Sequence, residues 1–409
     1  MNSQPAASAD RRVSLLLLGA AAFMVSLGTR ILDPLLKILA SPREFHVPLD
    51  QAALTVSAYT LPYGLCQLVY GPLGDRLGKV RVMAIAFTLC AVGTFACAFV
   101  PSDPHVGIRG LILLRFLTGV AAAAMIPLSI AYIGDKFPPE KRQATLGQFM
   151  SALMLGVVFS GPIGGIFGEF LGWRKIFMLL GGISVLVAVA LLNAARSEPV
   201  PTRDSVRSGP SIMDNYRSVL SNPNSIVVDI GIFLEGLFLF GGFVFLSTAM
   251  QETFKMKVLY AGLLLSFYGI GGLVYSLAAK QIVARLRQWQ MALLGGALLA
   301  IGFLIVAALP SLRAWWPFIP AALLMGIGFN CIHSTLQTKA TELAPKARGT
   351  AVSLFAFFFF LGQSVGVQAG GSIVKRYGFP ADFLIAAAGL ILMAMWVAWR
   401  MPHMSAERA

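Results

Sequence analysis

The sequence predicts an all-α membrane protein in which twelve transmembrane helices form two six-helix bundles. Of its 409 residues, 57% are hydrophobic and only 12% are charged, and the mean hydropathy is +0.76. Soluble domains are roughly 45–50% apolar, so this composition indicates a chain that faces lipid. Apolar runs recur along the whole sequence, and one long polar segment divides them into two sets of six.

Each apolar run has about 18 or more residues, which is enough for a helix to cross a hydrocarbon core of about 30 Å. The first run follows two arginines, as in a signal peptide. It is too long for a signal peptide and no clear cleavage site ends it, so we expect a retained helix. The runs cover residues 13–40, 50–73, 82–100, 108–134, 143–168, 175–193, 225–250, 258–279, 289–309, 315–338, 348–373 and 380–400.

The distribution of basic residues predicts the orientation. If both termini are cytoplasmic, the cytoplasmic loops hold roughly twice as many Lys and Arg residues as the opposite loops, as the positive-inside rule requires. The net charge of +14 therefore belongs to short loops and does not indicate a nucleic-acid-binding domain. We expect a monomeric, multi-pass protein of a bacterial-type inner membrane. The cytoplasmic bases include Arg76, Lys79, Arg81, Lys136, Lys141, Arg142, Arg203, Arg207, Lys280, Arg285, Arg287 and Lys346.

The longest polar segment, residues 196–224, is rich in Pro, Ser and charges of both signs. It predicts a cytoplasmic linker between bundles of residues 1–195 and 225–409. An internal repeat supports this division, because a shift of 206 residues aligns one loop and several glycines of the two halves. The aligned pairs are Pro139 with Pro345, Arg142 with Arg348, Gly156 with Gly362, Gly164 with Gly370, Gly165 with Gly371 and Gly172 with Gly378.

The sequence contains no residue pattern typical of an enzyme. The four cysteines lie within apolar runs, and no His or Cys cluster has the spacing of a metal site. There is also no G-x-x-x-x-G-K-[ST] loop to bind ATP. We therefore expect a protein without catalytic activity, metal or cofactor, whose energy comes from an ion gradient or from the gradient of its own substrate.

A short charged segment, GPLGDRLGKVRV, separates the second and third runs. Its small residues Gly71 and Gly74 would allow helices to approach closely. The pattern G-x-L-x-D-R-x-G-K-x-R closely resembles the signature loop of the major facilitator superfamily, and residues 284–287 resemble a worn copy of it. The resemblance to this superfamily extends over nearly the whole chain. It implies a gating role for Gly71, Gly74, Asp75, Arg76, Gly78, Lys79 and Arg81.

Two further motifs resemble those of this superfamily. In LILLRFLTGVAAAA, Arg115 matches the buried arginine of the fourth helix, although it could instead extend to the membrane interface. GVVFSGPIGGIFG resembles the fifth-helix motif of drug:proton antiporters, which implies a pivot between the bundles and export by antiport. Its small residues would admit another helix and its proline would permit a bend. The pivot residues are Gly156, Gly161, Pro162, Gly164 and Gly165.

The first helix contains a candidate ion pair. Arg30 and Asp33 are three residues apart and share a helix face, and Pro34 can break the helix beside them. The stretch resembles the first-helix aspartate and proline pattern of twelve-helix antiporters, except that Lys37 stands where a second proline is often found. A change in this pairing would move a proton; alternatively, the pair only positions the helix.

The second half supplies further polar candidates. Glu235 lies about 9 Å deeper along the seventh helix than Asp229, which we expect at the interface. Glu235 would bind a proton or cation, or else be a packed, protonated acid. His333 would shuttle protons or only form hydrogen bonds. The remaining cavity candidates are Asn330 and Gln337 on the tenth helix and Gln363 on the eleventh.

Together these features predict a secondary transporter whose bundles rock about a central cavity lined by Arg30, Asp33, Arg115 and Glu235. We expect it to export a small organic molecule, such as a drug, in exchange for protons. A proton-coupled importer of a sugar, organic anion or siderophore is the alternative. A transport-inactive sensor on the same scaffold is a third possibility.

Overall fold

The computed structural model describes residues 13–137, 139–196, 198, 212–345 and 347–404. Within these residues, twelve long helices confirm the predicted twelve-helix fold. They are α1 (Leu15–Ala40), α2 (Leu49–Leu77), α3 (Lys79–Phe99), α4 (Val106–Lys136), α5 (Pro139–Ile166), α6 (Trp173–Arg196), α7 (Pro223–Thr253), α8 (Val258–Arg285), α9 (Gln288–Leu312), α10 (Phe318–Leu343), α11 (Arg348–Tyr377) and α12 (Phe379–Arg400).

Eleven of the described helices are long and apolar enough to cross a membrane. The remaining one is α2, which has 29 residues and is therefore long enough, but carries many polar side chains. Several of these side chains face α11 rather than lipid. Ser57 donates to the Ser364 carbonyl oxygen at 3.3 Å, and the Thr60 and Ser364 hydroxyl groups lie 3.0 Å apart.

Three of the helices are interrupted near their middle. The regular turn of α1 ends at Arg30 and resumes through a 3₁₀ turn at Asp33–Leu35, where Pro34 lacks an N–H group. In α4 the break falls at residues 123–124, just before Pro127. In α7 it falls at residues 244–245, just after a pair of glycines. The breaks in α1 and α7 give both helices an irregular surface toward the space between the halves.

The two ends of the molecule differ. We call the end that holds Gly78 and the start of α7 the linker end, and the end that holds Gly172 and Gly378 the far end. Residues 197 and 199–211 of the predicted linker lie outside the described residues, as do the basic residues Arg11, Arg12, Arg203, Arg207 and Lys346. The linker also contains a short helix, Ile212–Leu220, which we call the linker helix. Its Tyr216 hydroxyl donates to the Leu68 carbonyl oxygen of α2 at 3.0 Å.

The glycines aligned by the 206-residue shift occupy equivalent places. Gly156 of α5 packs against the backbone of α1, and Gly362 of α11 packs against the backbone of α7. A Cβ atom at Gly165 would lie 3.0 Å from the Leu259 Cα atom of the other half, and one at Gly371 would lie 3.1 Å from the Asp50 Cα atom. The sequence repeat therefore corresponds to repeated helix packing.

The two halves meet along α2 with α11 and along α5 with α8. Polar contacts join them at the far end. Lys375 pairs with Asp50 at 3.2 Å, Lys257 pairs with Glu169 at 3.6 Å, and the Gln251 amide donates to a carbonyl oxygen of α1 at 3.0 Å. These contacts close the far end of the molecule.

Candidate substrate cavity

A cavity of about 270 Å³ lies between the halves, and both halves line it. The N-terminal half contributes Ser26, Thr29, Arg30, Asp33, Tyr63, Ile126, Leu153, Met154, Val157 and Ser160. The C-terminal half contributes Phe240, Phe243, Leu265, Tyr268, Gly269, Gly272, Phe329, Asn330, His333, Gln337, Phe355, Ala356, Phe359 and Phe360.

The predicted pair Arg30 and Asp33 lines this cavity at the break in α1. Both side chains are buried, being 8% and 1% exposed. The distance from Arg30 Nη1 to Asp33 Oδ2 is 3.9 Å, which is too long for a hydrogen bond. Arg30 Nη2 instead donates to Gln363 Oε1 at 3.1 Å, and the guanidinium carbon lies 3.7 Å from the centre of the Phe240 ring. Arg30 thus spans the two halves and is held only loosely by Asp33.

Aromatic rings cover the C-terminal side of the cavity. Phe240 and Phe359 have ring centres 5.6 Å apart, Phe329 and Phe359 are 6.1 Å apart, and Tyr268 and Phe329 are 5.9 Å apart. These distances fall in the range of favourable ring contacts. We call Phe240, Phe243, Tyr268, Phe329, Phe355 and Phe359 the aromatic wall.

Glu235 lies behind the aromatic wall and does not line the cavity. It is fully buried, and its Oε1 atom lies 3.5 Å from Nδ1 of His333. The imidazole ring lines the cavity, is 22% exposed and contacts Phe329, Phe355 and Phe359. Proton exchange between Glu235 and the cavity would therefore pass His333. Asp229, expected at the interface, is also buried.

Three polar residues of α10 line the cavity toward its open end. Asn330 and His333 are partly buried, whereas Gln337, nearer the linker end, is exposed. All three line the cavity. Gln363, the remaining candidate of the second half, is buried against Arg30 instead. Since the far end is closed by contacts between the halves, the cavity opens toward the linker end.

Arg115 does not line the cavity, which departs from the prediction. It also does not extend to the protein surface, because it is only 2% exposed. Its Nη2 atom donates to the Gly28 carbonyl oxygen at 2.9 Å and its Nε atom donates to the Thr55 carbonyl oxygen at 3.3 Å. The guanidinium also lies over the Tyr59 ring at 4.2 Å. Arg115 therefore binds α1 and α2 from behind, next to the break in α1.

The predicted gating loop is mostly helical. The α2 helix continues through Leu77 and α3 begins at Lys79, so only Gly78 forms the turn, with a φ of 90° that favours glycine. Gly74 packs against Leu128 of α4 as expected, but the space beside Gly71 is open, so Gly71 does not mediate close packing.

Lys79 connects three helices at this turn. Its Nζ atom lies 3.0 Å from Asp75 Oδ1 and 2.7 Å from Asp135 Oδ2 of α4. The sequence interpretation missed Asp135, although an acid at the end of the fourth run was a detectable signal. Arg76 and Arg81 are exposed.

The predicted pivot segment packs on two helices at once. Gly156 and Gly164 contact α1 of the same half, whereas Gly161 and Gly165 contact α8 of the other half. A Cβ atom at Gly161 would lie 3.0 Å from the Leu265 Cβ atom and would also clash with the Gly262 carbonyl oxygen. Pro162 lies within the helix, which continues to Ile166. These glycines allow the halves to approach through backbone contacts.

The fold and cavity define a class of protein: a helical membrane protein of two similar halves around a cavity open at one end. Comparison with known proteins identifies the family, since the sequence matches the profile of the Major Facilitator Superfamily over residues 18–367 and 228–408. The chain belongs to this superfamily of membrane transporters.

Relatives and solved structures agree with this assignment. The chain is 29% identical to the uncharacterized MFS-type transporter YceJ of Bacillus subtilis (strain 168), over 86% of this chain and 87% of that protein. It is 24% identical to the multi-drug resistance efflux pump PmrA of Streptococcus pneumoniae serotype 4 (strain ATCC BAA-334 / TIGR4), over 81% of both chains. Similar folds include the nucleoside transporter NupG, with a TM-score of 0.75, 15% identity and coverage of 96% and 99%. A D-xylose-proton symporter has a TM-score of 0.75, 14% identity and coverage of 94% and 96%.

Proposed function

We propose that this transporter exports a small organic molecule in exchange for protons. The observation that carries the proposal is the Arg30 and Asp33 pair, buried within the cavity that both halves line. Burying a carboxyl group inside a membrane domain is costly, and such groups therefore typically serve a function. The relative PmrA, a multi-drug resistance efflux pump with 24% identity, supports this direction of transport.

Asp33 offers a direct means of coupling. Neither of its carboxylate oxygens has a hydrogen-bond partner among the residues that the structure describes. A proton and a substrate donor group would bind the same oxygens, so each would displace the other. Competition of this kind produces exchange, provided that the binding site is exposed to one side of the membrane at a time.

Glu235 is the second proposed proton site. It belongs to the C-terminal half and communicates with the cavity through His333 at 3.5 Å. A proton on Glu235 would remove an uncompensated buried charge next to the aromatic wall. Asp33 and Glu235 together would allow each half to carry a proton.

The proposed cycle moves the cavity from the linker end to the far end. The basic residues at the linker end favour its placement in the cytoplasm of a bacterial-type inner membrane, with both termini on that side. The contacts of Lys375 with Asp50 and of Lys257 with Glu169 would break when the far end opens. One proton entering across about 100 mV supplies about 2.3 kcal/mol, enough for a gradient of roughly fifty-fold.

Transport measurements test this proposal. A thermal-shift screen of the purified protein against diverse compounds first identifies a ligand, and its flux is then followed in membrane vesicles with an imposed pH gradient. Antiport predicts accumulation in inside-out vesicles with an acidic interior. Accumulation in right-side-out vesicles with an acidic exterior would instead establish import by symport, and absence of counterflow with any ligand would indicate a sensor.

Two variants test the assignment of the protons. Asp33→Asn and Glu235→Gln should each reduce pH-driven flux, because neither amide can bind the transported proton. The matched controls are Asp214→Asn and Glu252→Gln, which change exposed acids outside the cavity. If both cavity variants keep full pH-driven flux, neither acid couples transport to protons.

A further inference from the structure

The two sides of the cavity differ in chemistry. The aromatic wall belongs to the C-terminal half, whereas α1 of the N-terminal half presents polar groups to the cavity: Ser26, Thr29, Arg30 and Asp33. We propose that the substrate is a planar aromatic molecule of about two fused rings, with a hydrogen-bond acceptor and an N–H donor side by side on one edge. This inference specifies the substrate class of the proposed exporter and rests on that function.

The polar edge of the substrate follows from Arg30 and Asp33. Arg30 Nη1 and both Asp33 oxygens are buried and have no hydrogen-bond partner within the described part of the chain. They lie side by side, with 3.9 Å between Arg30 Nη1 and Asp33 Oδ2. One unsatisfied donor next to an unsatisfied acceptor is complementary to a ligand that carries an acceptor next to a donor.

A ligand with only one of these groups would satisfy only part of the site. An amine cation bound to Asp33 would lie close to the Arg30 guanidinium and be repelled by it. A carboxylate bound to Arg30 alone would lie close to the Asp33 carboxylate and leave that acceptor without a partner. A neutral N–H donor next to a carboxylate or carbonyl group gives both residues a hydrogen-bond partner, and it places no second cation beside Arg30.

The aromatic wall determines the shape of the remaining part. Its rings come from α7, α8, α10 and α11, and contacts between ring centres of 4.6 to 6.3 Å connect Phe243 through Tyr268 and Phe329 to Phe359 and Phe240. Such a surface favours offset or edge-to-face contact with another flat ring. The N-terminal half faces it with the aliphatic side chains of Leu153, Met154 and Val157.

The cavity volume limits the size of the ligand. At about 270 Å³, it is nearly twice the volume of an engineered cavity of about 150 Å³ that binds one benzene molecule. Two fused rings with one polar edge would therefore fill it. Eight Phe and Tyr side chains line the cavity and make most of its surface apolar, which favours a flat ring over a sugar.

Equilibrium binding to the full-length protein in detergent tests this substrate class. Isothermal titration calorimetry compares four probes: 3-amino-2-naphthoate, 2-naphthoate, 2-aminonaphthalene and decahydro-2-naphthoate. The first should bind at least tenfold more tightly than the second and third, which each lack one edge group. The fourth, which is not flat, should bind most weakly. The inference would be overturned if any of the other three probes bound as tightly as 3-amino-2-naphthoate.

Variants assign the effects to the two sides of the cavity. Arg30→Lys should remove most of the preference for 3-amino-2-naphthoate over 2-aminonaphthalene, because an ammonium group cannot reproduce the guanidinium geometry. Phe329→Leu should weaken the naphthalene probes while changing the saturated acid little, and Glu252→Gln should change none. Unchanged preferences in Arg30→Lys would contradict the assignment of the polar edge.

Binding also separates this inference from the proposed function. If 3-amino-2-naphthoate does not bind while a screened compound of another class is exchanged for protons, the substrate class is wrong and the exporter stands. If the probe binds as expected but no ligand drives proton movement, the proposed exchange is wrong and the recognition by this cavity stands.

Discussion

Replacing Gly161 by alanine should shift the protein toward the state that is open at the far end. The added Cβ atom would clash with the Gly262 carbonyl oxygen and lie 3.0 Å from the Leu265 Cβ atom, both in α8 of the other half. Gly161 lies in the part of α5 nearer the far end, so this contact helps to close that end. Opening the far end would relieve the clash.

The size of the shift follows from the packing. Overpacking at a close contact destabilises by about 1–3 kcal/mol. The gain in helix propensity from glycine to alanine applies equally to both states, because α5 is helical in each, and therefore does not affect their ratio. The ratio of far-end-open to far-end-closed molecules should rise by about 5- to 150-fold.

Electron–electron distance measurements can detect this shift. In a background without native cysteines, spin labels at the exposed far-end positions His105 and Glu252 report the separation of the halves. Gly161→Ala should increase the long-distance population. Gly182→Ala is the matched control, because a Cβ atom there would meet no atom of another described helix within 4 Å. A folded Gly161→Ala protein with lower thermal stability but unchanged distances would refute the reasoning, since the contact would then be equally tight in both states.

Three further changes have expected outcomes. Ser364→Ala removes the cross-half contact with Thr60 and should raise the far-end-open fraction measured with the same labels, by about two- to twelve-fold for a loss of about 0.5–1.5 kcal/mol. Lys79→Met should lower the free energy of unfolding by less than about 1 kcal/mol, because the ion pair that it removes includes the exposed carboxylate of Asp135. The difference from the wild-type protein should disappear in 1 M salt. The backbone N–H groups of Val106 and His105 donate to the Asp103 carboxylate and lower its pKa. The ionised carboxylate therefore stabilises the fold near neutral pH, and this stabilisation is lost as the pH falls through the folded-state pKa. Asp103→Asn should make the unfolding temperature less dependent on pH in the acid range.

Hydropathy predicted the helices well because crossing a membrane requires long apolar runs. Their boundaries were harder to predict where polar residues remain helical. The segment from Gly71 to Leu77 has the composition of a loop, yet it continues α2, since at a membrane surface a helix can extend into water without losing its backbone hydrogen bonds. Only Gly78 leaves the helical conformation, and no local pattern distinguished it from Gly71 or Gly74.

Neighbouring residues of the cavity could be predicted from the sequence where their contact is local. Arg30 and Asp33 are three residues apart, so helix geometry alone placed them on one face. The contact of Arg30 with Gln363 spans 333 residues and depends on how the two halves pack. The contact of Glu235 with His333 depends on how α7 and α10 pack within the C-terminal half. The charge of Arg115 within an apolar run drew attention to this residue. Its hydrogen-bond partners could not be predicted, because they are backbone carbonyl groups, which have no sequence signal.

The internal repeat relates the packing of the two halves but not their chemistry. The 206-residue shift places Gly156 on Gly362 and Gly165 on Gly371, and each pair makes equivalent contacts. The same shift places Arg30 on Gly236, Asp33 on Leu239 and Thr29 on Glu235. The helices can therefore tilt in a nearly symmetric way, whereas the charged groups occur once each. Arg30 and Asp33 line a single cavity, and Glu235 contacts the lining residue His333. These groups are therefore close enough to respond to the same bound molecule, as the proposed exchange of substrate for protons requires.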